Sequence, residues 1–338
     1  MKLSYILLPA LALLCAACSP IVHVHESEHR SAMTEHADED YVPVMIENID
    51  EKGAPRSEVY DAPPQRVVAV WQNSIETLLA LGVGDRIIAG MGVPNAKYIR
   101  PEYRAAYEAI PYTSLENLDV ETILMMQPDL IVGWASTFSP KVLRGTSFWA
   151  GRGVHTYIAP SSSRATAQKT IAQECEDIRN LGRIFHREER AAALIGEMQE
   201  EIAYVAGRTA HMEKRPRALV IELMGKEIRT YGTETLAGDM VRALGAEHLA
   251  ADGHSLSMEE IIELDPDAIF LVVIESDYGS EDAIRARITE NPALRSLSCV
   301  QGNRIYTVPL YAVYSAGIRT YDGITIFAHG LYPEIYGE

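Results

Sequence analysis

The chain has 338 residues, 47% of them hydrophobic, with ordinary numbers of glycine (23) and proline (17). That length suits roughly two domains with a sizeable core and excludes a collagen-like or low-complexity chain. A formal net charge of −17 excludes a nucleic-acid partner, because phosphate binding needs clustered Lys and Arg, and disfavours a bare anion as ligand unless a local basic pocket overrides it.

Lys2 and the apolar run 6–14 open the chain, followed by Cys15-Ala16-Ala17-Cys18. The apolar run is too short to span a bilayer, which needs about 20 helical residues, so it reads as a signal peptide, residues 1–17. The small residues before Cys18 resemble the lipobox of bacterial lipoproteins, in which that cysteine is acylated and becomes the N-terminus; Cys15 stands where that motif usually has leucine. The alternative is an ordinary secretory signal cut nearby, and either places the mature protein outside the cytoplasm. Cys175 and Cys299, about 120 residues apart by sequence number, make no disulfide framework and are expected to be buried thiols.

Residues 18–41 are polar and acidic, the composition of a flexible tether. His23, His25 and His29 in this stretch have a spacing that could loosely hold a divalent metal such as zinc or nickel; a solvated tail that merely contains histidines is the plainer reading.

Order is expected from Tyr41. Two strands around Gly53 form a hairpin; then come a buried strand at 66–71, a helix at 74–82, a strand at 86–92, a tyrosine-rich stretch to 112, a helix at 118–126, and strands at 128–134 and 153–160. This strand–helix alternation is the pattern of a parallel α/β layer. Residues 163–185 and 187–212 read as helices, the second rich in strong helix formers and about 36 Å long at 1.5 Å per residue. After Pro216 the alternation restarts, with strands at 217–224, 266–274 and 304–310 and helices at 236–246 and 258–264, then an aromatic segment to the end. The chain thus reads as an α/β lobe (42–186), a linking helix (187–212) and a second α/β lobe (213–338).

The lobes echo each other. Glu121 stands seven residues before Pro128, and Glu259 seven before Pro266, each in a short helix that leads through Pro-Asp to a buried strand. Helix-dipole compensation accounts for either glutamate taken alone.

These ordered segments, PQRVVAVWQNSIETLLALGVGDRIIAG, NLDVETILMMQPDLIV, LAGDMVRALGAEHLA, SMEEIIELDPDAIFLV and VQGNRIYTVP, resemble the class III binding proteins of ABC importers, which take up ferric siderophores, haem and cobalamin. The resemblance covers about residues 42–338. It implies two Rossmann-like α/β lobes joined by a single long backbone helix, with the ligand in the cleft between them. It also implies a monomer that delivers its cargo to an ABC permease dimer and its ATPase, with Glu121 and Glu259 docking on permease arginines. The protein would carry no intrinsic cofactor, its ligand being a metal complex, and would be tied to the membrane through the lipid anchor.

Ligands of open α/β sheets bind beyond the carboxyl ends of strands. That rule nominates Trp71, Tyr98, Arg100, Trp134, Tyr231, Tyr311, Tyr314 and Arg319. Seventeen tyrosines against five phenylalanines suit a planar or aromatic ligand at a wet interface, a phenolate can ligate ferric iron, and Arg319 could pair with a ligand carboxylate. Tyr98 lies about where haem-binding relatives place a tyrosine, but here the run is Tyr-Ile-Arg-Pro rather than Tyr-Pro. The ligand order is ferric siderophore, then haem, then cobalamin, with a divalent metal or metal chelate as outsider. An exported enzyme is the rival class; the chain has no GxxxxGKS, GxGxxG or GxSxG motif.

Overall fold

A computed structural model describes residues 40–250 and 255–337. Strands β1 (Val44–Ile49) and β2 (Pro55–Tyr60) pair antiparallel as expected, closing on a turn in which Asp50 Oδ1 accepts from the Lys52 and Ala54 amides at 2.9 and 2.8 Å.

Five strands follow: β3 (Val67–Val70), β4 (Ile87–Met91), β5 (Thr113–Ser114), β6 (Leu130–Gly133) and β7 (His155–Ile158). They make an all-parallel sheet in the order β5-β4-β3-β6-β7. The four residues of β3 are fully buried, which is why this strand is a continuous β-branched run rather than an alternating one. A second sheet holds β8 (Arg217–Met224), β9 (Glu227–Thr230), β10 (Glu247–His248), β11 (Ala268–Val273) and β12 (Ile305–Pro309). Its parallel path is β10-β8-β11-β12, and β9 folds back antiparallel on β8 through Gly225.

The long helix is Glu188–Thr209, 22 residues or about 33 Å. Its apolar face (Ala191, Leu194, Ile195, Met198, Val205) is buried, and it packs on the helices Ile171–Ile184 and Thr320–Leu331. A single hydrophobic cluster runs from Ile46 through this helix to Tyr332.

Several features depart from the sequence reading. The helix expected from 163 begins at Ile171, because Pro160 opens a 3-10 turn and Thr170 closes a capping box with Gln173. Strand β9, the helix Glu281–Thr289 and the helix Thr320–Leu331 were not anticipated. The last, TYDGITIFAHGL, is rich in glycine and β-branched residues, which are poor helix formers. Its buried face (Ile324, Phe327, Ala328, Leu331) supplies the stability that propensity does not.

Candidate ligand-binding site

Both sheets reverse strand order beside their first strand, the first between β3 and β6, the second between β8 and β11. Such reversals leave a crevice at the carboxyl ends of the strands. Trp71 follows β3 and Trp134 follows β6, and their rings stack at 4.8 Å between centroids, 21° from parallel. Tyr314 meets Trp134 edge-on at 5.4 Å. Each indole N–H has a protein acceptor, Thr137 Oγ1 at 3.1 Å for Trp71 and Asn73 Oδ1 at 2.9 Å for Trp134. Trp71 is held at φ 74°, ψ 152°, a region costing about 1–3 kcal/mol for a residue with a side chain. Its amide donates to the Met91 carbonyl at 2.7 Å. Gly92, at φ 91°, makes room for the ring: a Cβ there would lie 2.9 Å from Trp71 Cε3. Trp71, Asn73, Gly92, Trp134 and Tyr314 line a narrow cleft with Glu275, Leu310 and Tyr311.

A larger cavity of about 340 Å³ adjoins through Tyr311, lined by Lys97, Tyr98, Tyr278, Thr307 and Tyr311 among others. Tyr98 and Tyr278 lie at 4.9 Å between centroids, Tyr278 and Tyr311 at 5.9 Å in an edge-on contact. Burial, reinforced by the Glu275 carboxylate, pushes the Tyr278 phenol up. Burial pushes Tyr311 up as well, against the opposing pull of Arg319. Both rings therefore stay neutral near pH 7 and present hydroxyls, not phenolates. The Tyr278 hydroxyl oxygen is buried without a hydrogen-bond partner.

Arg319, expected to pair with a ligand carboxylate, and Arg100, nominated for the pocket, are both engaged by carboxylates of the protein itself. Arg319 is 7% exposed and grips the fully buried Glu76 with Nε and Nη2, both at 2.7 Å. Its Nη1 donates to Asp322 at 2.6 Å and Nη2 also to the Tyr98 carbonyl at 2.9 Å. Burial alone would lower its pKa; Glu76 and Asp322 more than reverse that. The Arg100 guanidinium pairs with Asp322, while its amide donates to Glu76 Oε1 at 2.7 Å. Gln72 Nε2 completes the cluster, 2.9 Å from both Glu76 Oε2 and the Tyr98 carbonyl. The arginines therefore position the Tyr98 loop. Glu76 and Asp322, their partners, were not singled out from sequence.

The same segment is held from a second side. The Gly317 amide donates to Glu174 Oε2 at 2.7 Å, and at φ 55° its missing Cβ would fall 2.4 Å from Thr77 Oγ1. Tyr231 lies apart from both cavities; it is buried and donates to Glu222 Oε2 at 2.8 Å.

Glu121 and Glu259 are exposed in the first turns of Val120–Met126 and Met258–Leu264. The two units repeat in detail. Each helix ends on a left-handed residue, Gln127 or Asp265. Arg66 caps the carbonyls of Met126 and Gln127 at 2.6 and 3.0 Å, and Arg217 those of Leu264 and Asp265 at 2.8 and 3.2 Å. Asp129 accepts from the Arg66 amide and Asp267 from the Arg217 amide, each at 2.9 Å. Neither arginine was picked out from sequence.

Cys175 and Cys299 are buried free thiols, as anticipated. Cys18, His23, His25 and His29 lie outside the described residues. Among the described residues no helix is long and apolar enough to cross a membrane, and no group of three or more His, Cys, Asp or Glu is placed to hold a metal ion.

Residues 67–312 match the profile of a family described as periplasmic binding protein. A crystal structure of a periplasmic binding protein from Veillonella parvula is 48% identical, with a TM-score of 0.84 covering 87% of this chain and 93% of that one. The uncharacterized ABC transporter substrate-binding lipoprotein YvrC of Bacillus subtilis is 23% identical over 81% of this chain and 82% of its own length. The ferric-anguibactin-binding protein FatB of Vibrio anguillarum is also 23% identical, over 88% and 89%. With its paired sheets, its long helix and a match across most of its length, the chain belongs to the periplasmic binding protein family.

Proposed function

We propose that this protein is the lipid-anchored substrate-binding component of an ABC importer, capturing a ferric siderophore outside the cytoplasmic membrane. The observation that carries the reading is the cavity walled by Tyr98, Tyr278 and Tyr311 beside the stacked Trp71–Trp134 pair. Aromatic faces with polar tips suit a large, ring-bearing metal complex. The kinship with FatB, named as a ferric-anguibactin-binding protein, supports a ferric complex of this kind above haem and cobalamin, the alternatives in the same family.

In this reading the two sheets are the cores of two lobes, with Glu188–Thr209 as the helix between them. A crossover helix between parallel strands runs back against the strand direction. The first turns bearing Glu121 and Glu259 thus lie toward the same sheet edge as the cavities. Two exposed carboxylates, one on each lobe, suit docking on cationic side chains of a permease, where charge pairs set register and encounter rate. Acylation at Cys18 would keep the loaded protein at the membrane surface.

Trp71 and Trp134 report on occupancy directly. Titration with a ferric siderophore should quench tryptophan fluorescence, and replacing both by phenylalanine should remove most of the signal. If ferric siderophores, haem and cobalamin all leave the fluorescence unchanged while the protein turns over a hydrolysable substrate, the carrier reading is wrong. Palmitate labelling of the expressed protein, lost in Cys18→Ala, tests the anchor separately.

A further inference from the structure

Resting on the carrier reading, we infer that the site selects uncharged or cationic metal complexes and rejects polyanionic ones. The ionic side chains that line the two cavities are Lys97, Glu281 and Glu275, and the Lys169 ammonium lies 5.6 Å from the centre of the Tyr314 ring. Two lysines against two glutamates leave the walls with no net positive charge.

The two arginines next to the cavity do not change that balance. Arg319 spends four of its five N–H donors on Glu76, Asp322 and the Tyr98 carbonyl. Arg100 pairs with Asp322. Two guanidiniums and two carboxylates balance in charge, and Glu102 lies 4.0 Å from the Arg100 Nη1 as a third carboxylate. An anion drawn to either arginine would compete with carboxylates already paired to it, and displacing Glu76, which is fully buried, would leave an uncompensated charge that is costly.

What the cavity does offer is neutral. Tyr278 presents a buried hydroxyl oxygen that no protein group engages, in a wall built from Tyr98, Tyr311 and Thr307. A protonated phenol can donate to an amide or hydroxamate oxygen. Placing a multiply charged anion against such a wall exchanges its hydration for aromatic surface and hydroxyls without a net counter-charge. The chain's net charge of −17 adds long-range repulsion.

The test is fluorescence titration of the purified protein with three iron complexes: an uncharged ferric trihydroxamate, a cationic ferric trihydroxamate and a trianionic ferric tris-catecholate. The trihydroxamates should bind at least about tenfold more tightly than the tris-catecholate, a difference of one decade in Kd. The double substitution Glu275→Lys, Glu281→Lys should narrow or reverse that gap. A tris-catecholate that binds wild type as tightly as the trihydroxamates overturns the charge assignment and leaves the carrier reading intact. So does a double variant with unchanged preference. Silence from all three complexes, with haem and cobalamin also inert, overturns the carrier reading together with this one.

Discussion

Arg319 closes a bidentate ion pair on Glu76, with both N–O distances at 2.7 Å, and joins the turn after the last strand of the second sheet to the first helix of the first. Glu76 takes two further donors, from Gln72 and the Arg100 amide. A carboxylate so satisfied can remain charged in a fully buried position.

Removing one partner leaves the other charge buried without its bidentate counterpart. Arg319→Ala and Glu76→Ala should each cost about 3–5 kcal/mol of unfolding free energy. The double variant should cost clearly less than the sum, because the stranded charge has gone. Urea denaturation of the four proteins checks this, and single losses below about 1 kcal/mol would contradict the described geometry.

Asp177 sets a pH dependence. It is buried, accepts from the Tyr157 hydroxyl at 2.5 Å, and burial followed by the neighbouring Glu174 holds its carboxyl well above the usual range. Because the folded value is raised, its contribution to stability is full below the ordinary value of 3.8 and is lost as pH climbs toward the raised one. Asp177→Asn should therefore gain stability relative to wild type as pH rises from 4 toward neutrality. Thermal melts of both proteins across that range would show it; parallel curves would refute it.

Gly92→Ala should unsettle the tryptophan pair. The new methyl would lie 2.9 Å from the Trp71 ring at a backbone angle of φ 91°. A cost of about 1–2 kcal/mol is expected, from a side chain in the left-handed region and a displaced ring. A shifted tryptophan emission maximum and weaker ligand binding should accompany it. An unchanged spectrum would mean that the ring does not need this space.

Charge reversal at the two exposed glutamates separates capture from delivery. Glu121→Arg with Glu259→Arg should abolish ligand uptake by cells while leaving Kd in solution within about twofold, since neither side chain lines a cavity. Lost affinity in solution would remove the docking role.

Much of this was legible in the sequence, for physical reasons. Strands β3, β6, β8 and β11 are apolar runs whose centres are buried on both faces, and the strand-end rule led directly to Trp71, Trp134, Tyr98, Tyr311 and Tyr314. Tyr231 was misplaced because β9 went unseen. The antiparallel return through Gly225 sets the Tyr231 amide against the Val220 carbonyl, beside the middle of β8 rather than its end. Glu76 sits in an apolar helical run and reads as an ordinary solvent-facing residue. Its partner lies 243 residues away, and no local pattern connects them.

That separation bears on how the molecule is completed. Chain emerging from its N-terminus carries Glu76 into a helix otherwise destined for burial, with no guanidinium to meet it until position 319 follows. Folding of the first half alone would have to bury a bare carboxylate or leave that helix undocked. The loop bearing Tyr98, which Arg319 and Gln72 hold in place, can settle only then. The candidate site is thus complete only when residues from both ends of the chain are in place, and fragments ending short of Arg319 should bind ligand poorly however well their first sheet forms.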